Sequence, residues 1–239
     1  MAPTELFVEL GGELGRGRTF PATERNRHGA NLGTLFGRLG GDIGASTAWR
    51  TGLSYVRASP QDRAFVDFDT LGDEVTQSFT GRSRMWIADF ILKWAPQGNP
   101  TVTNFKLQGE YFRRRESGTL TYDETLTDAY SSRQSGWYGQ AVYQFMPRWR
   151  VGYRYDRLSH GTVSNAIVDS GVGLTPGDFR LLMTEHNPTR HTAMVDFSPS
   201  EFSRLRLQYA FDRSRAGLED RQLVLQYIHS LGAHGAHRF

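Results

Sequence analysis

The stretch RWRVGYRYDRLS, residues 148–159, admits one backbone period. Trp149, Val151, Tyr153 and Tyr155 fall on one side, and Arg150, Gly152, Arg154 and Asp156 on the other. Strict alternation of this kind marks a strand with one apolar and one polar face. The pattern recurs in SRLRLQYAFDR, where Leu205, Leu207, Tyr209 and Phe211 oppose Arg204, Arg206, Gln208 and Asp212. It recurs again in NFKLQGEYFRR, where Phe105, Leu107, Gly109 and Tyr111 oppose Lys106, Gln108 and Glu110. Nowhere is a helical stripe sustained for three turns, so the chain is expected to be all-β.

About ten such runs follow one another, near 4–15, 31–44, 47–58, 83–95, 103–115, 135–146, 148–159, 189–198, 201–213 and 220–239. The connections alternate in length: tight near 44–47, 96–102, 146–149 and 198–202, long and polar over 16–30, 59–82, 116–134 and 160–188, with a shorter outer one near 214–219. Greek-key sandwiches mix loop lengths at both ends. An outer-membrane up-and-down barrel keeps short turns at its periplasmic end and long loops outside. The expected fold is therefore one antiparallel transmembrane β-barrel domain over residues 1–239, with both termini periplasmic.

The apolar faces fit that environment. In MWIADFILKWA, Trp86, Ala88, Phe90, Leu92 and Trp94 share a face, with Asp89 and Lys93 opposite. At a rise of ~3.3 Å and a tilt of ~40°, Trp86 and Trp94 stand about 20 Å apart along the barrel axis, close to the ~25 Å apolar band between aromatic girdles. Trp49, Trp94 and Trp149, with Phe202, sit beside short turns and would form the periplasmic girdle. Trp86 and Trp137 would mark the outer one.

Other classes are excluded by what the chain lacks. No run approaches the ~18 apolar residues of a membrane helix, and MAPTELFVEL lacks signal-peptide regions. With 28 Lys+Arg against 25 Asp+Glu, scattered rather than blocked, there is no basic stripe for nucleic acid. The absence of cysteine removes disulfides and thiolate zinc sites.

Turned inward, the polar face would line the lumen with the cations Arg38, Arg50, Lys93, Lys106, Arg150, Arg154, Arg204 and Arg206. The facing acids would be Glu9, Glu13, Asp42, Asp89, Glu110, Asp156 and Asp196. One reading is a ladder of ion pairs filling the interior, favoured because a buried unpaired charge costs several kcal/mol. The other takes Arg148, Arg150, Arg154, Arg157, Arg204 and Arg206 as an anion-attracting strip, since arginine and lysine rings set anion selectivity in pores.

Catalytic motifs are not found. Ser159 and His160 adjoin near Asp156, but a triad is recognised by geometry rather than adjacency, and no nucleophile elbow, zinc-protease or phosphate-loop motif is present. Gly11, Gly12 and Gly15 read as strand bends. The histidines give no expected metal site: His234 and His237 point to opposite faces of a strand, and His229 and His237 are roughly 26 Å apart at strand rise. His160, His186 and His191 could meet outside the membrane. No cofactor is expected.

The stretches WIADFILKWAPQGNP, FKLQGEYFRRRESG, QSGWYGQAVYQFMPRWRVGYRYDRLS, FSPSEFSRLRLQYAFDRS and LQYIHSLGAHGAHRF resemble a family of proteobacterial outer-membrane porin-like barrels. Its members are loosely described as porins, phosphate-selective-porin-like proteins or zinc-regulated TonB-dependent receptors. The resemblance spans essentially the whole chain. It implies a bacterial outer-membrane location and, because family members carry a signal peptide and further N-terminal sequence, that these residues match the C-terminal part of a longer barrel.

The expected function is a porin-like channel for the passive passage of small polar solutes, anionic ones among them. The alternatives are the barrel part of a receptor and a non-conducting structural or adhesive barrel. The closing phenylalanine, Phe239, with Leu231 and Tyr227 at its two-residue spacing, resembles the C-terminal strand that outer-membrane assembly machinery recognises by strand pairing.

Overall fold

The computed structural model describes residues 6–26 and 28–231, and the alternating runs become strands of one antiparallel sheet. In chain order these are β1 (Phe7–Gly15), β2 (Leu32–Ile43), β3 (Thr47–Ala58), β4 (Arg63–Phe68), β5 (Glu74–Trp94), β6 (Asn104–Tyr122), β7 (Leu126–Met146), β8 (Trp149–Asn165), β9 (Thr189–Ser200), β10 (Ser203–Arg213) and β11 (Asp220–His229). Each strand pairs with the next in sequence, except that the short β4 pairs only with β5, so that β3 also lies directly against β5. The all-β, up-and-down architecture expected from the period-two pattern is borne out, with β4 as an eleventh strand. Among the described residues, β1 pairs only with β2 and β11 only with β10, which leaves two sheet edges.

Three stretches expected as long loops prove to be partly strand. Residues 59–82 contain β4 and the outer part of β5. Residues 116–134 form a protruding hairpin between β6 and β7, turned by Asp123 and Glu124 at φ 47° and 57°. Two successive residues at positive φ are the mark of a type I′ turn, whose twist matches that of the flanking strands. Residues 160–188 contain the end of β8, a one-turn helix α1 (Ala166–Asp169) and a 3₁₀ turn at Pro176–Phe179. The polar character of these stretches has a simple cause. In these extensions the outward face turns to Thr, Ser and Arg and the few apolar residues move to the other parity, so the stretch reads as polar while hydrogen-bonded pairing continues.

The compact apolar core lies in this outer region. Val75, Phe79, Leu120, Tyr122, Tyr130, Ile167 and Phe179 form one buried cluster. Phe79 faces Leu120 in register, and the Phe79 and Tyr130 rings meet edge to face at 5.6 Å. These residues share the side of β5–β7 that carries Asp89, Glu110 and Tyr138 further along, so the segment after β8 folds over the outer end of the polar face.

Asp178 anchors that segment. Its carboxylate accepts from the backbone N–H and hydroxyl of Thr70 at 2.8 and 2.7 Å, and from those of Thr175 at 2.7 and 2.9 Å. Burial alone would push this carboxyl up, but the four donors outweigh burial and hold its pKa at about 2. A second insertion comes from the β1–β2 connection, where Asn26 is buried and donates to Ser59 O at 3.0 Å, while Arg63 donates to Pro21 O at 2.9 Å.

Candidate functional site: the polar face

Strand register arranges the polar side chains in rows across the sheet. One row runs Glu9, Arg38, Gly52, Asp89, Glu110, Tyr138, Asp156, Arg190 and Asp212. Arg38 Nη1 lies 2.9 Å from Glu9 Oε2, and Arg190 Nη1 lies 3.5 Å from Asp212 Oδ2. Arg154 bonds Asp156 with contacts of 2.6 to 3.0 Å and covers the Tyr138 ring at 3.8 Å. A Cβ at Gly52 would meet the Asp89 carboxylate, so the glycine leaves that carboxylate room to lie across β3.

Three rows nearer the short turns stands the best-formed pair of this face. Asp196 stands between Arg150 on β8 and Arg206 on β10. Arg206 Nε and Nη2 reach its two oxygens at 2.6 and 2.8 Å, a bidentate fork. Arg150 instead donates to Gln144 Oε1 at 3.0 Å. Arg204 is the odd member: its Nε is buried with no hydrogen-bond partner.

Charge is only partly matched across neighbours. Asp89 faces Glu110, and Lys93 faces Lys106, in direct register between β5 and β6. Like charges so placed repel, and an uninterrupted ladder of opposite pairs does not form there. Arg50, Lys93 and Lys106 border one recess at the short-turn end together with Asp42. A second concavity of about 550 Å³ is walled by Arg154, Asp156, Arg190, Arg206 and Asp212.

Two members of the sequence-derived arginine strip lie elsewhere. Arg157 pairs with Trp137 in register and shares the apolar side, since its odd position puts it with Tyr153 and Tyr155. Arg148 occupies the β7–β8 turn at φ 73°. Conversely, the alternation offered no warning of the Arg63–Glu116 pair, bidentate at 2.8 and 2.9 Å, because β4 was hidden in an expected loop. Burial would raise the Glu116 carboxyl, but Arg63 and Arg114 outweigh it and hold it below the usual carboxylate range.

On the opposite side, the tryptophans stand at two levels, one beside the short turns and one about halfway along the long strands β5 and β7. Trp49, Trp94 and Trp149 lie near the short turns, where Trp149 packs on Phe197 with centroids 4.7 Å apart. At the other border, Trp86 packs on Tyr55 at 4.7 Å and Trp137 on Tyr155 at 5.2 Å. Between them, Leu53, Phe90, Leu107, Val151, Val195 and Leu207 are exposed. Tyr227 and Leu231 are also exposed, whereas Phe239, His234 and His237 lie outside the described residues.

The three outer histidines do not converge. His160 Nδ1 is 3.1 Å from Asn187 Oδ1, His186 Nε2 is 2.8 Å from Arg213 O, and His191 Nδ1 is 2.6 Å from Tyr153 OH. Among the described residues, no three metal-ligating side chains assemble into a candidate metal site.

No protein-family profile matches the chain. An uncharacterized protein of Aquifex aeolicus (strain VF5) is 26% identical over 256 residues, a match covering 100% of this chain and 50% of that protein. The chain thus spans about half the length of the curated relative it matches. Among solved structures, the Pseudomonas putida toluene transporter TodX is similar at a TM-score of 0.44 and 13% identity, over 95% of this chain and 69% of that one. The NanC porin is similar at a TM-score of 0.36 and 9% identity, over 94% of this chain and 99% of that one. With scores this low, what the chain does is read from its own geometry.

Proposed function

We propose that the chain forms the wall of a porin-like β-barrel in a bacterial outer membrane, one domain over residues 1–239, through which small polar solutes pass. The observation that carries this reading is the inversion of the sheet. Its large apolar side chains lie on the open face between two aromatic borders, while its ion pairs and inserted segments occupy the other. Exposing such a face to water costs roughly 25 cal/mol per Å², and a bilayer removes that cost. The insertion-rich end then faces outward and the short turns face the periplasm.

A sheet edge in hydrocarbon leaves backbone groups unsatisfied. The β1 and β11 edges are therefore proposed to be sealed in the membrane, by each other or by additional strands. Arg50, Lys93 and Lys106 at the periplasmic end supply a modest preference for anions, tempered by Asp89 and Glu110 in mid-wall. The strand that ends on Phe239, with Tyr227 and Leu231 before it, is proposed to engage the assembly machinery. Deleting Phe239 should then reduce the inserted fraction at unchanged synthesis.

A second reading, a non-conducting structural barrel, is favoured by the apolar core that occupies the outer end of the polar face. Planar-bilayer recording separates the two. Single-channel steps support the channel, whereas a heat-modifiable, membrane-inserted barrel without steps supports the structural reading and sinks the channel.

A further inference from the structure

The outward face carries a feature that neither transport nor barrel closure uses. On strand after strand, an arginine stands two residues beyond the outermost aromatic residue, on the same face: Arg57 after Tyr55, Arg84 before Trp86, Arg113 after Tyr111 and Arg157 after Tyr155. Register adds a row in which Arg57 faces Arg84, Arg84 faces Arg115, and Arg115 faces Arg133. Four guanidiniums therefore span four adjacent strands, at strand spacings of about 4.8 Å.

This cluster differs from the polar face in sign as well as side. The inward charges are mixed, and several are paired. Along the outward face of β3, β5, β6, β7 and β8, the only carboxylate is Glu74, at the far tip of β5. Among the described residues, none of the six arginines forms a salt bridge within the chain, and all six are exposed. Like charges directly opposite on a sheet repel, so a row of this kind is held together most readily by an anion from outside. The surface is also shaped for one. Arg82, Arg84, Arg115 and Arg133 border a concavity of about 330 Å³ with Ser117 and Ser131, and the carboxylate of Glu116, the one acidic residue in its lining, is held by Arg63.

We infer that this row is a binding site for the phosphorylated headgroup of an outer-leaflet glycolipid. Arginine's planar fork takes phosphate oxygens bidentately. The site lies immediately beyond the aromatic border, at headgroup height, and continues into the apolar face that would hold the acyl chains. A soluble phosphate has no use for that continuity, and so the lipid is the occupant assigned. The inference rests on the outer-membrane barrel reading.

The test uses the protein extracted from outer membranes in mild detergent, with bound glycolipid counted by native mass spectrometry. Wild type should retain phosphorylated glycolipid. The quadruple variant R57Q/R84Q/R115Q/R133Q should retain at least tenfold less, and the corresponding four-lysine variant should recover most of it. Equal retention in wild type and the glutamine variant overturns the inference while heat-modifiable migration leaves the barrel reading standing. Loss of heat-modifiable migration by wild type itself overturns both. Should the glutamine variant fail to fold, wild type alone decides. Its unfolding temperature should rise with phosphorylated glycolipid and not with the same lipid dephosphorylated. An equal rise with both lipids, or with inorganic phosphate alone, overturns the assignment.

Discussion

Alternation fixes the side on which a residue stands, but register decides what it meets. Asp196 and Arg206 lie on the polar face by parity, and only strand alignment puts them in direct opposition. The same alignment sets Asp89 against Glu110, a result no single-strand pattern contains. With Asp196 only 1% exposed, Asp196→Asn should leave Arg206 without its charge partner and cost about 3 kcal/mol, as breaking a buried pair does. The temperature at which the heat-modifiable band converts should fall accordingly, and an unchanged temperature would remove Asp196 from the framework. Asp178 makes a pH prediction. Its folded-state pKa of about 2 lies below the ordinary carboxylate value, so its contribution is complete above about pH 4 and is lost as the pH falls toward 2. Cleavage of the 166–187 segment by an acid protease should therefore rise over that interval. Asp178→Asn should allow cleavage already at pH 4.

At the scale of elements, each of the ten alternating runs contains a strand within the described residues, because opposed apolar and polar faces force a period of two. The outer extensions were illegible because the apolar parity reverses there: Thr119, Thr121, Thr127 and Ser131 continue the outward face across β6 and β7, while Leu120, Tyr122 and Tyr130 fill the inward one. Their turn was masked as well, since Asp123 and Glu124 adopt positive φ without the glycine or asparagine that signals a type I′ hairpin. Glu124 at φ 57° carries a conformational cost that glycine does not. Glu124→Gly should stabilise this hairpin by about 0.5 kcal/mol after glycine's larger unfolded-state entropy is subtracted. Slower hydrogen exchange at residues 120–122 and 126–128 would show it; faster exchange would mean that the turn is held by its surroundings.

For the whole molecule, the proposed channel meets a wall whose polar face is filled at one end. Ile167 and Phe179, the two core residues not carried by β5–β7, come from the segment between β8 and β9, which can be shortened without touching a strand. Phe179 is fully buried against Tyr122, with ring centroids 5.2 Å apart, and Asp178 beside it ties the turn to the β4–β5 connection. Replacing residues 170–187 with a short Gly/Ser linker keeps β8 and β9 joined while removing both anchors. The uncovered Phe79, Leu120 and Tyr130 would then face water, so the outer ends of β5–β7 should lose protection from proteolysis. The rest of the sheet, which in the proposed barrel lies in lipid, should keep its heat-modifiable migration. If the segment narrows a pore, single-channel conductance should rise severalfold on its removal, and Phe179→Ala should give a smaller rise with more flickering, because a local cost of about 3 kcal/mol loosens the segment without deleting it. Unchanged conductance in both variants would place the permeation path away from the inserted core, against β8–β10, where Arg154, Asp156, Arg190 and Asp212 wall the concavity of about 550 Å³.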